Sequence, residues 1–341
     1  MSAKPLRVLC LMHPGLVPPE DVSGRDVTDV PWKMEFDVSV TLRNMGHEVL
    51  ALGVEDDLAP IRRTVGTWKP DIVFNLLESF HNVSTFDQHV ASFLELLRVA
   101  YTGCNPRGLM LARDKALSKT LLAFHRIPVP DFLVVRRGRK ARRPKKLQFP
   151  LIVKSLTMEA SIGISRASVV ESDEALVERV RFIHESIGTD AIVERFIEGR
   201  ELYVGVLGNT RLEVFPVWEL RWKKTPEDGR LIMTDRAKWN TNYQKKYGVM
   251  TDRAELADDQ TAAIRKLCKR AYRTLDLSGY ARIDLRLDAT GRVYVLEANP
   301  NPQLAYGEDF AESAEHGGVG YEQLLQKILA AGLAWRPERL G

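Results

Sequence analysis

The stretch from Tyr280 to Pro302 constrains the fold most: two runs of alternating apolar and polar residues flank a turn of Asp288, Ala289, Thr290 and Gly291. That pattern predicts a β-hairpin. With Asp288–Gly291 as the loop, Leu287 pairs with Arg292, Arg282 sits opposite Glu297, and Asp284 lies diagonally across from Glu297. Directly opposed residues share a sheet face, so Arg282, Asp284, Glu297 and Asn299 project to one side. The other side receives Ala281, Ile283, Leu285, Leu287, Tyr294, Leu296 and Ala298 and is apolar throughout. A one-residue slip would mix the two sets, so their separation supports the pairing.

A face with two carboxylates, an amide and an arginine has two readings, and the residues alone leave both open. One is a solvated sheet face carrying surface ion pairs. The other is a magnesium–phosphate site, since carboxylate and carboxamide oxygens are what Mg²⁺ prefers alongside phosphates. The strands have apolar backs and few lysines, so they look central rather than edge-like. Pro300-Asn301-Pro302 ends the second strand just where the polar groups stand.

A length of 341 residues suggests two or three domains. The 45% apolar and 28% charged content is that of a soluble globular protein, and a net charge of +4 is too small to argue for nucleic acid. Cys10, Cys104 and Cys268 are odd in number and widely spaced, so neither a disulfide framework nor a zinc site is indicated. The start lacks a long apolar segment, and no run approaches the roughly 20 apolar residues of a membrane span. The expectation is a reduced, cytoplasmic protein with no membrane partner.

Along the chain, strands at Arg7–Met12, Glu48–Leu52, Ile72–Asn75 and Val99–Thr102 alternate with helices at Val38–Met45, Leu58–Trp68 and Phe86–Leu97. This predicts a parallel sheet with crossover helices, without a dinucleotide fingerprint after the first strand. Asp114–His125 reads as an amphipathic helix, Phe132–Val135 and Leu151–Lys154 as strands, and Asp173–Ile187 as a helix. Between those strands Arg136–Lys146 has eight basic residues in eleven. It holds no aromatic to stack a base, so a solvated loop is favoured over nucleic-acid binding. Ala191–Glu194 reads as a strand, Glu201–Leu207 and Arg211–Trp218 as a hairpin, Ala257–Leu275 as a long helix and Tyr321–Ala330 as a terminal one; residues 221–250 are irregular. Lys154 ends a strand before the small-residue loop 155–163. Such a loop can cradle phosphate oxygens, and an ordinary hairpin turn with a surface lysine is the other reading.

Taken in order, these residues resemble a family. Asp114-Lys115 opens a helix, Lys154 precedes a small-residue loop, and Glu194-Arg195-Phe196-Ile197-Glu198-Gly199-Arg200-Glu201 follows. Arg282-Ile283-Asp284 and Glu297-Ala298-Asn299 close the series, with Tyr101-Thr102-Gly103 and Ala237-Lys238-Trp239 in keeping. The pattern over about residues 95–330 is similar to the ATP-grasp fold, in its D-alanine–D-alanine ligase branch. The resemblance implies a mixed α/β and α+β chain in three parts: an N-terminal parallel α/β domain (1–113), a central ATP-grasp subdomain (114–193) and a C-terminal one (194–341). It implies ATP and two magnesium ions, with manganese as a substitute, and leaves room for a homodimer. By resemblance Lys115 and Lys154 hold phosphates, Ser161 to Gly163 close over them, and Lys238 adds a further phosphate contact. Glu194 and the backbone at Ile197 form the adenine hinge, and Glu201 meets the ribose. Asp284, Glu297 and Asn299 hold the metals, while Arg282, with Lys238 and Ser161, serves the reacting centre.

The implied reaction is amide formation between a small-molecule carboxylate and an amine or amino acid through an acyl phosphate. Two rivals stand beside it, a true D-alanine–D-alanine ligase and a nucleotide-binding protein without turnover. Departures from the family pattern fall on the amino-acid sites. No Gly-Gly-x-Ser motif follows the first strand, where His13-Pro14-Gly15 stands. Phe74 to Glu78 and Asp87-Gln88 replace the family's His-Gly and Glu-Asp-Gly. Ala160 replaces a serine, Trp239 a tyrosine, and Glu308 falls near the serine that meets the second substrate's carboxylate. The sequence reading is therefore a ligase whose second substrate is not free D-alanine.

Overall fold

A computed structural model describes residues 4–158, 161–226 and 229–337. The N-terminal part runs β1 (Arg7–Met12), α1 (Lys33–Asn44), β2 (Glu48–Gly53), α2 (Ala59–Trp68), β3 (Ile72–Asn75) and α3 (Asp87–Leu96). The strands pair in parallel in the order β2-β1-β3. β1 and β3 are near-continuous apolar runs, as strands covered on both faces must be. The expected strand Val99–Thr102 is reduced to one bridge, Val73 with Tyr101. The ladder stops because the Asn75 N–H donates to the Thr102 hydroxyl, at 3.1 Å, instead of to a backbone carbonyl.

α4 (Pro106–Arg113) was absent from the sequence reading, yet its start carries a good signal. The Asn105 side chain accepts from the Gly108 N–H at 2.9 Å, with Pro106 in the first turn. α5 (Lys115–Phe124) begins the same way, Asp114 accepting from Ala116 and Leu117. Then come β4 (Phe132–Val135), β5 (Leu151–Ser155), β6 (Val169–Val170), α6 (Asp173–Phe182) and β7 (Ala191–Arg195), with a π-helical turn Ile183–Ile187 extending α6. The strands form an antiparallel sheet in the order β4-β7-β5-β6. The basic run joins β4 to β5 as a loop, partly neutralised by Arg136–Asp190 at 2.8 Å and Arg143–Asp173 at 3.0 Å.

The remainder comprises β8 (Arg200–Leu207), β9 (Glu213–Val214), β10 (Trp218–Trp222), α7 (Asp235–Trp239), α8 (Thr241–Tyr247), β11 (Val249–Arg253) and α9 (Asp258–Thr274). It continues with β12 (Tyr280–Leu287), β13 (Val293–Pro300), α10 (Asp309–His316) and α11 (Tyr321–Ala334). An antiparallel sheet runs β11-β10-β8-β12-β13, with β9 paired to β8. The stretch read as irregular, of which 227–228 lie outside the described residues, thus holds two short helices and an edge strand. α11 packs on α1 and β3, and its Lys327 reaches Glu213 of β9 at 2.7 Å. Among the described residues no helix is long and apolar enough to cross a membrane.

The hairpin register differs from the sequence reading by two one-residue shifts. Leu287 pairs with Val293, and a bulge after Asp284 leaves Leu296 unpaired, so Asp284 faces Glu297 and Arg282 faces Asn299. Near the bulge the two shifts cancel in parity, which is why the four polar residues still share a face. Before the bulge they do not cancel. Tyr294 leaves the apolar side and pairs with Arg286, its ring meeting the Arg195 and Arg292 guanidiniums at 5.3 and 4.9 Å. Val293 and Val295 take its place, and Val295, Ile283 and Leu285 share a buried cluster with Cys268 and Tyr272 of α9.

Candidate active site

The polar face of β12 and β13 continues onto β8, whose Tyr203 pairs with Asp284 and whose Glu201 pairs with Arg286. Arg282 grips Asp284 in a fork, Nε to Oδ1 at 2.8 Å and a second nitrogen to Oδ2 at 3.0 Å. The same guanidinium lies 4.6 Å from the Tyr203 ring centre and 3.6 Å from Asp309. Glu201 is held by Arg286 at 2.8 Å and by the Tyr203 hydroxyl at 2.9 Å. Burial pushes Asp284 up to about 6 against the pull of Arg282, and Glu297 and Glu201 add to the rise.

Opposite stands a lysine cluster built on α5 and β5. The buried stripe of α5 is Lys115, Ser118, Lys119 and Leu122, a spacing of three and four that places both lysines on the inward face. Lys115 donates to the Met158 carbonyl at 2.7 Å and lies 4.0 Å from Glu297. Lys119 was missed by the sequence reading, although the helical period of α5 carries the signal. It donates to the Leu296 carbonyl and lies 3.3 Å from Glu194, both side chains being 1% exposed. Lys154 reaches the other Glu194 oxygen at 3.2 Å.

Glu194, Lys119, Lys154 and Glu297 each titrate away from their usual range. Burial would raise Glu194, but Lys119 and Lys154 outweigh it and hold its carboxyl low. Burial outweighs Glu194 at Lys119 and lowers that ammonium's pKa. At Lys154 burial loses to Glu194 and Glu297, and the pKa rises. Burial opposes ionisation of Glu297 as well, yet Lys115, Lys154 and Lys119 hold it down to about 2. Glu194, expected at an adenine hinge, is thus surrounded as the counter-ion of two lysines. The backbone N–H of buried Ile197, by contrast, has no partner among the described residues.

Ser161 has φ +61°, a conformation rare for a side chain other than glycine, and its carbonyl accepts from Ile164 at 2.9 Å. At Gly163, φ +72°, an added Cβ would lie 2.9 Å from Ile187. Ala160 lies outside the described residues. The Asp235 N–H donates to the Ile164 carbonyl at 2.9 Å, tying this loop to α7, which carries Lys238. The charge of Lys238 acts on Glu308, an exposed residue whose carboxyl is nevertheless raised by partial desolvation and by neighbouring Asp309. Asp309 also accepts from the Thr251 hydroxyl at 2.6 Å. The segment before it is latched to α1: Lys33 donates to the Tyr306 carbonyl at 3.0 Å, and the Tyr306 N–H donates to Asp37 at 2.8 Å.

The residues present fit a magnesium ion shared with phosphate. Asp284 and Glu297 are direct cross-strand partners, and Asn299 sits one same-face position along β13 with its amide nitrogen buried and unpartnered. Among the described residues no group of three His, Cys, Asp or Glu side chains stands ready to cage a metal. Two carboxylates and an amide suit an ion that completes its shell with phosphate oxygens and water.

A profile of the family described as D-ala D-ala ligase C-terminus matches residues 121–330, more than half of the chain. The chain belongs to that family. It is an ATP-dependent carbon–nitrogen ligase with the ATP-grasp fold. The ligase is 32% identical over 312 residues to the uncharacterized protein y4sG of Sinorhizobium fredii, covering 88% of each chain. It is 30% identical over 266 residues to a D-alanine–D-alanine ligase of Desulfotalea psychrophila, covering 77% of this chain and 78% of the relative. Its fold matches the Bacillus anthracis D-alanine–D-alanine ligase complexed with ATP with a TM-score of 0.74 at 20% identity, over 98% of this chain and 99% of that one.

Proposed function

We propose that the ligase joins a small carboxylate to an amine that carries no free carboxylate close to its nitrogen. The observation that carries this reading is the acidic pair Glu308–Asp309 beside Arg282, with Asp309 at 3.6 Å. A substrate carboxylate brought to that corner meets two like charges. At contact distance each repulsion is worth roughly 1–4 kcal/mol in partly screened surroundings.

The site supports a two-step sequence. A carboxylate oxygen of the first substrate attacks the γ-phosphorus of ATP, and ADP leaves. The amine nitrogen then attacks the acyl carbon, phosphate departs, and the nitrogen loses a proton. Lys115 and Lys154 neutralise phosphate charge on one wall, with Lys119 and Glu194 fixing Lys154 from behind. The loop of Ser161 and Gly163 covers the phosphates, and Lys238 approaches from α7. The Ile197 N–H is free to meet the adenine edge and Glu201 the ribose hydroxyls. Arg282 stabilises charge on the transferring phosphoryl group and the tetrahedral centre. Asp284, Glu297 and Asn299 would hold the magnesium, which would supply neutralisation of phosphate charge. Small-molecule substrates and a cytoplasmic setting belong to this reading, consistent with three buried, free cysteines.

The competing reading, D-alanine as both substrates, draws on the names of several relatives. The two separate in an ADP-release assay with D-alanine alone and with D-alanine plus a panel of amines and carboxyl-blocked amino acids. The proposal expects at least about tenfold faster release with the best uncharged or blocked amine, the equivalent of ~1.4 kcal/mol. Equal release with D-alanine alone overturns it.

A further inference from the structure

Behind the phosphate loop lies a cavity of about 650 Å³ that none of Lys115, Lys154, Glu194, Asp284 or Glu297 lines. Its walls are Gly163 to Ala167, the inner end of α6, and α7 with α8. The volume is that of a small-molecule site. Its chemistry is cationic: Arg166, Arg179, Arg236 and Lys246 line it, and Asp235 is the one carboxylate among the described lining residues.

Arg179 makes the charge excess hard to explain as structure alone. The residue is 7% exposed; its guanidinium donates to the Gly163 carbonyl and, at 2.8 Å, to the Ser168 hydroxyl, and lies 4.2 Å from the Phe182 ring centre. Its Nε has no partner, and no carboxylate among the described residues pairs with it. A buried charge is normally matched by a counter-ion, because desolvation is otherwise uncompensated. Burial accordingly lowers the pKa of Arg179. Across the cavity Arg236 and Lys246 lie over the rings of Tyr243 and Tyr247 at 5.1 and 5.0 Å, and neither is ion-paired among the described residues. Arg166 donates to the Tyr243 hydroxyl at 3.2 Å. Planar guanidiniums converging on a space of this size suit bidentate recognition of oxyanions.

We propose that this cavity binds a small oxyanion bearing two or more negative charges, a phosphorylated or polycarboxylated molecule, in a site separate from the nucleotide cleft. Its floor is the Gly163–Ile164 backbone, where Arg179 and the Asp235 N–H already take the two carbonyls. The ligand therefore touches the same loop that covers the phosphates on the proposed reading.

The test is calorimetric titration of inorganic pyrophosphate, and separately of tricarballylate, into the full chain with the nucleotide cleft filled by saturating ADP and excess magnesium. Saturable binding near one equivalent is expected for pyrophosphate, for tricarballylate, or for both, and which of them binds assigns the phosphate or carboxylate class. The double variant Arg236→Glu, Lys246→Glu is expected to weaken that binding at least tenfold while its ADP affinity stays within twofold of the parent. Equal binding by parent and variant, or no saturable isotherm with either anion, overturns the proposal.

Discussion

Lys119 and Glu194 give the sharpest test of how the proposed phosphate wall is built. Both side chains are 1% exposed and 3.3 Å apart, and Glu194 also meets Lys154 at 3.2 Å. Glu194→Gln removes the one carboxylate that, among the described residues, these two ammoniums share at contact distance. Stripping a buried charge of its partner costs about 3–5 kcal/mol. Lys119→Met leaves Glu194 still paired with Lys154 and mainly strands the Leu296 carbonyl, a loss of about 1–3 kcal/mol. The expected order is therefore a larger destabilisation for Glu194→Gln, by roughly 2 kcal/mol from the difference of those ranges. The double variant should cost less than the sum by about 1–3 kcal/mol, since the residues are in contact. Urea unfolding of the three variants, followed by tryptophan fluorescence and checked by circular dichroism, reads the ranking. Additive costs, or Lys119→Met as damaging as Glu194→Gln, would refute the shared-counter-ion account.

Arg282→Ala should lower turnover by about 10²–10³, the scale of losing one donor at a developing negative centre, with the circular-dichroism spectrum retained. Arg282→Lys should recover only part of that rate, because an ammonium cannot reproduce the fork on Asp284; full activity in either variant would sink the assignment. Glu35, 1% exposed on α1, has an unpartnered carboxyl oxygen, and burial with nearby Glu78 pushes its pKa up to about 7 from an ordinary 4.5. Between those values the folded chain holds a proton that the unfolded chain has lost, so stability falls as pH rises, by up to about 3 kcal/mol in total. Glu35→Gln should match the parent near pH 4.5 and exceed it increasingly up to pH 7, where the gain levels off; a pH-independent difference in thermal midpoint contradicts this. Glu308→Ser should raise ADP release with D-alanine as second substrate relative to amines, and an unchanged preference would show that the acidic corner does not select the substrate.

The polar face of the hairpin was legible because side-chain parity survives small register errors. Two one-residue shifts cancelled beyond the bulge, so Arg282, Asp284, Glu297 and Asn299 stayed together, while Tyr294 before the bulge changed sides. No local signal in Val295-Leu296-Glu297 announces a bulge, since each residue suits a regular strand. Lys119 was legible in principle, from the period of α5, but a lysine reads as solvent-facing until its counter-ion is known, and Glu194 lies far along the chain. The helices α4 and α7 carry good caps at Asn105 and Thr234. They are so short that their apolar period is too weak to be noticed. Asp309 was invisible as a site residue, because it reaches Arg282 only through the turn that Tyr306 makes on Asp37.

Charge balance in the cleft bears on the substrate. Asp284 is held by Arg282, Glu201 by Arg286, and Glu194 by two lysines, while Lys115 lies beside Glu297. Each of these carboxylates has its cation within the protein. Glu308 is exposed and has no ion-pair partner among the described residues, and partial desolvation with the charge of Asp309 raises its pKa. On the proposed reading the missing cation comes with the second substrate. A protonated amine entering beside Glu308 relieves the repulsion from Asp309 and gains a charge-assisted contact. Its ammonium must then shed a proton before the nitrogen can attack, and a carboxylate whose pKa already sits above the usual range is better suited to receive it than an ordinary one. A substrate that brings its own carboxylate cancels the first advantage without supplying the second. On that reading the acidic corner would both disfavour free D-alanine and prepare a simple amine for attack.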